Sequence, residues 1–342
     1  MPAIFFTGFP GFLGAELLPR LLARTPEMRA ICLVQPKFAE LARERAGRIA
    51  GATLVEGDIT APLTVAGDDV VEIYHLAAIY DVMVPRDVGM RVNVDGTRHV
   101  LDFAERCPSL RRLHYVSTCY VSGRYDGVFR EDDLQKGQTF NNYYEETKFL
   151  AEVEVRKRTG LPIVIYRPSV VVGDSISGAT QKFDGPYFVM QWLLRQPRVA
   201  VLPVVGRPKR YRFNVVPRDF IVAAIERLSA LPQSVGKVYQ LADPDPLTVD
   251  ETIDEIAQAT HRHVIRMPLT RGIAKSALDL GLQRWMRIPS AAVDYFVHPT
   301  LYDTTNAQAD LGDVRVPRLR EYLPRLVEFA RAHPEIGSAA MA

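Results

Sequence analysis

Sulfur is scarce in this chain: 342 residues hold three cysteines, Cys32, Cys107 and Cys119, scattered and odd in number. That argues against a disulfide framework and fits a reducing compartment. There is no C-x-x-C pair and no H-E-x-x-H, so no metal site is expected. Neither sign of charge dominates. Lys and Arg total 42 against 40 Asp and Glu, a net charge of +2, which removes the electrostatic case for nucleic acid as the main partner. No apolar run is long enough to span a bilayer. The first apolar stretch has no basic region before it and runs straight into a glycine loop, so Ala3-Ile4-Phe5-Phe6 reads as a strand and not as a signal peptide. A cytoplasmic protein is expected. Internal repeats and low-complexity segments are absent as well, and Ser338 to Ala342 reads as a frayed tail.

What is present is an ordinary globular composition, 47% hydrophobic and 24% charged, over a length that allows a large core. Short apolar runs alternate with helical patterns through the first half. Strands are predicted over Ile4 to Thr7, Ala30 to Val34, Thr53 to Glu56, Val71 to Leu76, Arg112 to Ser117 and Ile163 to Tyr166. Helices are predicted over Phe12 to Arg24, Phe38 to Arg48, Val88 to Arg106 and Asn142 to Arg158. This alternation implies an α/β fold, a Rossmann-type doubly wound parallel sheet with right-handed crossovers. After Gly173 the pattern changes. A Gly/Ser/Asp-rich loop to Gly185 leads into a helix at Pro186 to Arg195, and Val238 to Leu241 reads as a strand returning to the sheet. Thr248, with Glu251 three residues on, reads as a capping box, and the remainder as mostly helical. The expected division is a sheet domain over 1–173, with the returning strand near 237–242, and a smaller capping region from 174–236 and 245–335.

Two motifs carry chemistry. Thr7-Gly8-Phe9-Pro10-Gly11-Phe12-Leu13-Gly14 lies between the first strand and the first helix. Glycines there let the backbone turn sharply and approach a pyrophosphate, whose charge the helix start favours. At the end of the second strand, Val34-Gln35-Pro36-Lys37 offers no carboxylate for a ribose 2′-hydroxyl. Lys37 facing a 2′-phosphate favours NADP(H) over NAD(H); the other reading is an exposed lysine starting a helix. The second motif is Tyr144 and Lys148, at i and i+4 on one helical face. A phenol has an ordinary pKa of about 10, which a nearby ammonium lowers towards the range of proton exchange. Ser117 or Thr118, at the C-terminal end of a parallel strand, is placed to hold the reacting oxygen or, alternatively, to satisfy loop backbone groups. Cys119 beside them reads as a small buried apolar residue.

As a set these stretches resemble the extended short-chain dehydrogenase/reductase superfamily over roughly the first 220 residues. Gly57-Asp58-Ile59 resembles its adenine-contacting turn, and His75-Leu76-Ala77-Ala78 its fourth-strand motif. Val92-Asn93-Val94-Asp95-Gly96-Thr97 resembles its asparagine helix start, and Tyr166-Arg167-Pro168-Ser169 its motif behind the nicotinamide. Within the superfamily the chain is most similar to fatty acyl-CoA reductases and to the terminal reductase domains of carboxylic acid reductases and peptide synthetases. Tyr115-Val116-Ser117-Thr118 and Phe213-Asn214-Val215-Val216-Pro217-Arg218-Asp219-Phe220 carry that similarity; Gln35 stands where those reductases often have arginine.

The resemblance implies that Asp58, Ile59, Leu76, Ala77, Ala78, Asn93, Val116, Ser117, Arg167, Pro168, Ser169 and Val170 join the glycine loop, Gln35 and Lys37 around the cofactor. It also implies a Thr118, Tyr144 and Lys148 triad. NADPH would deliver hydride to a thioester carbonyl or an aldehyde, Thr118 and Tyr144 would stabilise the oxyanion, and Lys148 would hold the nicotinamide ribose and tune Tyr144. The implied substrate is lipophilic, CoA-linked or carrier-bound, and helices at the sheet edge suggest a homodimer. The alternatives are a hydroxysteroid dehydrogenase, a sugar-nucleotide epimerase and a dinucleotide-binding sensor without turnover.

One segment stands apart. Arg271, Lys275, Asp279, Gln283 and Arg287 form a polar stripe through 271–288, and Ile273, Ala277, Leu278, Leu280, Leu282, Trp285 and Met286 an apolar remainder. This is either a core-facing helix of the cap or an interfacial helix touching a membrane.

Overall fold

The computed structural model describes residues 1–282 and 289–337. Seven parallel strands form one sheet in the spatial order Val238–Leu241, Ile163–Pro168, Arg112–Val116, Val70–His75, Ala3–Thr7, Arg29–Val34, Ala52–Glu56. Helices cover both faces, so the inner strands are buried along their length and do not alternate between buried and exposed. Ala3–Thr7 is buried at every position, and so is Val70–His75. The chain winds one way from Ala3–Thr7 through the second and third strands, then the other way from Val70–His75 outward. The crevice between those two strands is the topological switch point, outside whose carboxyl ends ligands bind in such sheets.

On one face, Leu17, Leu18 and Leu21 of helix Gly14–Arg24 pack with Phe220, Ile221 and Ala224 of helix Arg218–Ser229. On the other, Val100 and Phe103 of Gly96–Glu105 pack with Ala151 and Val155 of Tyr143–Lys157. A third core lies in the cap, where helices Pro186–Leu194, Val249–Thr260 and Leu319–Ala332 meet. The capping box at Thr248 and Glu251 forms as expected.

Several expectations need correction. Arg218–Ser229 and Thr305–Leu311, assigned by sequence to the cap, pack on the sheet through Ile225 and Leu311. The later chain is not simply helical. His263–Leu269 pairs in parallel with Val199–Val205, and Thr300–Tyr302 with Gly127–Phe129. The helix expected over Val88 to Arg106 widens into a π-turn at Met90–Asp95 before Gly96–Glu105.

The 271–288 segment also departs from its reading. A helix spans Arg271–Ala277 and a wider turn Leu278–Leu282; Gln283 to Ile288, with Trp285, lie outside the described residues. Arg271 and Lys275 do not form an outward polar stripe. Both clasp the buried Asp294 carboxylate, at 2.7 and 2.9 Å. Ala274 and Leu278 face inward, while Ile273 and Leu280 are 58% and 89% exposed. Among the described residues no helix is long and apolar enough to cross a membrane.

Candidate active site

A cavity of about 500 Å3 runs along the carboxyl edge of the sheet over the switch point. All eight residues from Thr7 to Gly14 line it. The loop is glycine-rich because nothing else fits. Gly8 has φ +94°, a Cβ on it would lie 2.8 Å from Leu76 Cβ, and a Cβ on Gly14 would lie 2.5 Å from the Gly8 carbonyl oxygen. Thr7 is buried and ties the first strand to the fourth through His75 Nδ1, at 2.8 Å. His75 is pushed down to about 3, first by burial and then by the Lys148 ammonium, so it is a neutral strut.

At one end of the cavity the Gln35 amide donates to Asp58 Oδ2 at 2.7 Å, and Asp58 Oδ1 accepts from the Thr60 backbone N–H at 2.9 Å. Gln35 is thus tied into the turn that also brings Ile59 to the cavity wall. Lys37 is exposed, its ammonium 5.0 Å over the Phe38 ring. Arg45, which the sequence reading did not single out, donates to the Pro10 carbonyl at 2.7 Å and sets a second cation beside the loop.

At the other end Leu76, Ala77, Ala78, Val116, Ser117, Thr118, Tyr144, Lys148, Pro168, Ser169 and Val170 converge. Helix Tyr143–Lys157 begins where it does because Asn142 caps it, its side chain accepting from the Glu145 N–H at 3.0 Å. That start puts Tyr144 in the first turn, at the cavity, and Lys148 one turn deeper. Burial raises the Tyr144 phenol well above its ordinary value; the Thr118 hydrogen bond opposes that rise, and the Glu145 and Asp184 charges add to it. Burial pushes Lys148 down to about 7, with Glu152 opposing.

Lys148 departs from the expected tuning role: its ammonium donates to the Tyr115 hydroxyl at 3.0 Å and to the Val116 carbonyl at 2.9 Å, and it is Thr118 that acts on the Tyr144 phenol. Ser117 donates to Glu152 at 2.6 Å, away from Tyr144, which leaves Thr118 as the hydroxyl beside the phenol.

Two predicted residues do not line the cavity. Arg167 is fully buried on the opposite side of its strand, paired with Glu152 at 2.6 Å and bonded to the Asp133 carbonyl at 2.7 Å. Side chains alternate along a strand, so Pro168 reaches the cavity and Arg167 cannot. Burial alone would raise Glu152, but the Arg167 guanidinium holds its carboxyl below the usual range. Asn93, in the π-turn, is a brace. Its side chain accepts from Ile79 N–H at 2.9 Å and donates to Thr147 Oγ1 at 3.0 Å, fixing the fourth-strand loop against the Tyr144 helix.

The cavity is closed by Tyr80 and Tyr120, from the loops after the fourth and fifth strands, and by Lys182, Asp184 and Tyr295 of the cap. Tyr80 sits edge-on to Tyr144 with ring centroids 5.0 Å apart. Lys182 lies 4.3 Å over the Tyr80 ring and 3.3 Å from Asp184. Only Tyr80 carried a signal, its place just beyond the Leu76-Ala77-Ala78 strand end.

These residues fit a dinucleotide on two counts. The glycine cradle leaves no space for side chains, and Ser169 Oγ, buried in the cavity wall, lacks any hydrogen-bond partner among the described residues and is free to meet a carboxamide. A family model described as Male sterility protein matches residues 6–225.

The chain belongs to the male sterility protein family.

It is thereby a Rossmann-type, NAD(P)-binding oxidoreductase of the extended short-chain dehydrogenase/reductase superfamily. This member of the male sterility family is 25% identical, with a TM-score of 0.80, to the terminal R domain of the myxalamid PKS-NRPS pathway, covering 98% of this chain and 92% of that one. It is 23% identical to the non-canonical nonribosomal peptide synthetase FrzA of a Cladobotryum species, over 96% of this chain and 36% of that protein. It is 27% identical to a 3-beta-hydroxysteroid dehydrogenase of Mycolicibacterium neoaurum, over 90% of this chain and 86% of that one. The chain thus spans about a third of FrzA, but most of the dehydrogenase.

Proposed function

We propose that this protein reduces a lipophilic acyl thioester, CoA-linked or carrier-bound, or the corresponding aldehyde, with NADPH as the hydride donor. The observation that carries the reading is the meeting of the Tyr144 phenol and the Thr118 hydroxyl at one end of a cavity whose other end is the glycine cradle. NADPH supplies the hydride; the chain's part is to orient the carbonyl and move protons. Thr118 and Tyr144 donate hydrogen bonds to the carbonyl oxygen, where negative charge develops. Tyr144, kept protonated by its burial, gives that oxygen a proton. Lys148, one turn below, would hold the nicotinamide ribose. For a thioester the resulting hemithioacetal loses its hydroxyl proton and breaks the C–S bond, giving an aldehyde and a free thiol. The aromatic wall of Tyr80, Tyr120 and Tyr295 suits an apolar acyl group.

Lys37 and Arg45 beside the ribose end support NADP(H) over NAD(H). Lys37→Ala raises the KM for NADPH about fivefold and leaves NADH unchanged, the size of an exposed ionic contact. An equal effect on both cofactors contradicts the preference.

The test is cofactor oxidation with purified protein, NADPH or NADH and a long-chain acyl-CoA, with thiol release followed in parallel. Matching NADPH loss and thiol release support thioester reduction. A second reading, alcohol oxidation on a sterol, rests on the hydroxysteroid dehydrogenase relative that matches this chain over most of both lengths. NAD(P)+ reduction with hydroxysteroids, and none with thioesters or aldehydes, favours it.

A further inference from the structure

Hemithioacetal collapse moves charge from oxygen to sulfur, and Tyr144 and Thr118 meet only the oxygen. An alkyl thiol has a pKa of about 8.5, so its thiolate leaves as a base. A bare anion among the Tyr80, Tyr120 and Tyr295 rings is costly, and a proton donor is needed at that end of the cavity. Three cationic side chains line the cavity, Lys37, Lys148 and Lys182, and among the described residues no arginine or histidine does. Lys37 stands at the ribose end beside Phe38. Lys148 is engaged below Tyr144, on the Tyr115 hydroxyl and the Val116 carbonyl. Lys182 stands at the substrate end. Its ammonium lies 4.3 Å over the Tyr80 ring, whose edge meets Tyr144. It donates to the Tyr80 carbonyl oxygen at 3.3 Å and faces the Asp184 carboxylate, also at 3.3 Å. An ammonium has three N–H donors, and the third has no partner among the described residues. The side chain is 17% exposed, enough to regain a proton from water. Burial pushes the Tyr80, Tyr120 and Tyr295 phenols well above their ordinary range, which makes them poor donors to a sulfur.

We propose that Lys182 is a further catalytic residue, the acid that protonates the thiolate leaving group as the hemithioacetal collapses. The inference rests on the thioester substrate proposed above. In the collapse the hydroxyl proton of the hemithioacetal returns to the Tyr144 phenolate and the carbonyl re-forms. The C–S bond breaks, and its electron pair passes to sulfur. A Lys182 N–H proton follows onto that sulfur, leaving a free thiol and a neutral amine, which takes a proton from solvent once the thiol departs. The Tyr144 proton is thus given and taken back, and the one proton that thioester reduction consumes enters through Lys182.

Single-turnover kinetics with NADPH and dodecanoyl-CoA, following nicotinamide absorbance and thiol release in parallel, separate the two steps. In the parent protein they coincide. In Lys182→Met the absorbance falls at the parent rate and the thiol appears about 10²-fold later, the worth of a positioned proton donor. With the dodecanoyl ester of thiophenol, whose sulfur leaves as a more stable anion, the variant releases thiol within about threefold of the parent rate. Thiol release that keeps step with hydride transfer in Lys182→Met overturns the proposal. So does an equal slowing of hydride transfer to dodecanoyl-CoA and to dodecanal, which marks a residue that only holds the Tyr80 loop. Should Lys182→Met lose NADPH binding and with it the fold, Lys182→Arg keeps a cation over Tyr80 and beside Asp184 but cannot give up its proton. Its thiol release is expected to lag about tenfold, and no lag overturns the proposal. A parent protein that consumes no thioester contradicts the substrate reading, and the proposal falls with it; the variants contradict the proposal alone.

Discussion

In the sheet, neighbours in space are set by short, repeated rules. Ala3–Thr7 pairs with Arg29–Val34 and Val70–His75 through runs of buried apolar residues joined by right-handed crossovers. In the cap, Val199–Val205 finds His263–Leu269, and Thr300–Tyr302 reaches back to Gly127–Phe129 of the first part of the chain, across long stretches of unrelated sequence. The sheet brings the glycine loop, Thr118 and Tyr144 to one rim because all its strands point the same way. The cap brings Asp184 and Tyr295 to that rim only once its own distant pairings have formed. Reactive groups are thus encoded locally, and the walls that choose a substrate are not.

The sharpest way to break this comparison is Tyr144→Phe. Turnover is expected to fall about 10²–10⁴-fold, the worth of a positioned proton donor, with NADPH affinity nearly unchanged. Retained turnover places the chemistry elsewhere. Next in size is the buried ion pair. Arg167→Met removes the buried partner of the Glu152 carboxylate and leaves it only the part-exposed Arg156, at 3.0 Å, and is expected to cost about 3 kcal/mol in chemical denaturation. The exposed cap pair Arg210–Asp126 lies at 55% and 69% side-chain exposure, and Arg210→Met is expected to cost about 0–1 kcal/mol.

The glycines repeat the contrast in ligand binding. Gly14→Val drives a side chain into the Gly8 carbonyl and is expected to weaken NADPH by up to about a hundredfold, through strain of about 1–3 kcal/mol. Gly272→Ala in the cap meets nothing within 4 Å and leaves NADPH titration as it was.

The buried lysine adds a pH dependence. The unfolded chain keeps the Lys148 proton up to the ordinary 10.5, whereas the folded cofactor-free chain releases it near 7. Between those values the unfolded state binds more protons, so stability rises with pH across that window. Lys148→Met flattens the rise, by up to about 5 kcal/mol across the window, in denaturation curves collected from neutral to alkaline pH. An unchanged slope contradicts the buried-lysine account.

The legibility of the chain follows the same division. The main strands were readable to within two residues because their runs are short, mostly apolar and bounded by turn residues, and Tyr144 with Lys148 stood out only through helical spacing taken together with the glycine loop. Arg167 was misplaced because a motif fixes a position along a strand, while the facing of its side chain depends on alternation and on Glu152. Asn93 was misplaced because a π-turn turns it towards Ile79 and Thr147. His263–Leu269 went unseen because its residues alternate between exposed and half-buried, it contains Pro268, and its partner lies far back in the chain. Tyr295 and Asp184 belong to no motif; only the folded cap brings them to the cavity.

The central claim is that hydride passes from a nicotinamide to a carbonyl held by Tyr144 and Thr118. Its most direct test is turnover of a long-chain acyl-CoA, and separately of its aldehyde, with NADPH carrying deuterium at the transferring position. The account predicts deuterium on the carbonyl carbon of the product, lost with turnover in Tyr144→Phe. Product formed without deuterium, or NADPH bound in the cavity with neither substrate consumed, would contradict it.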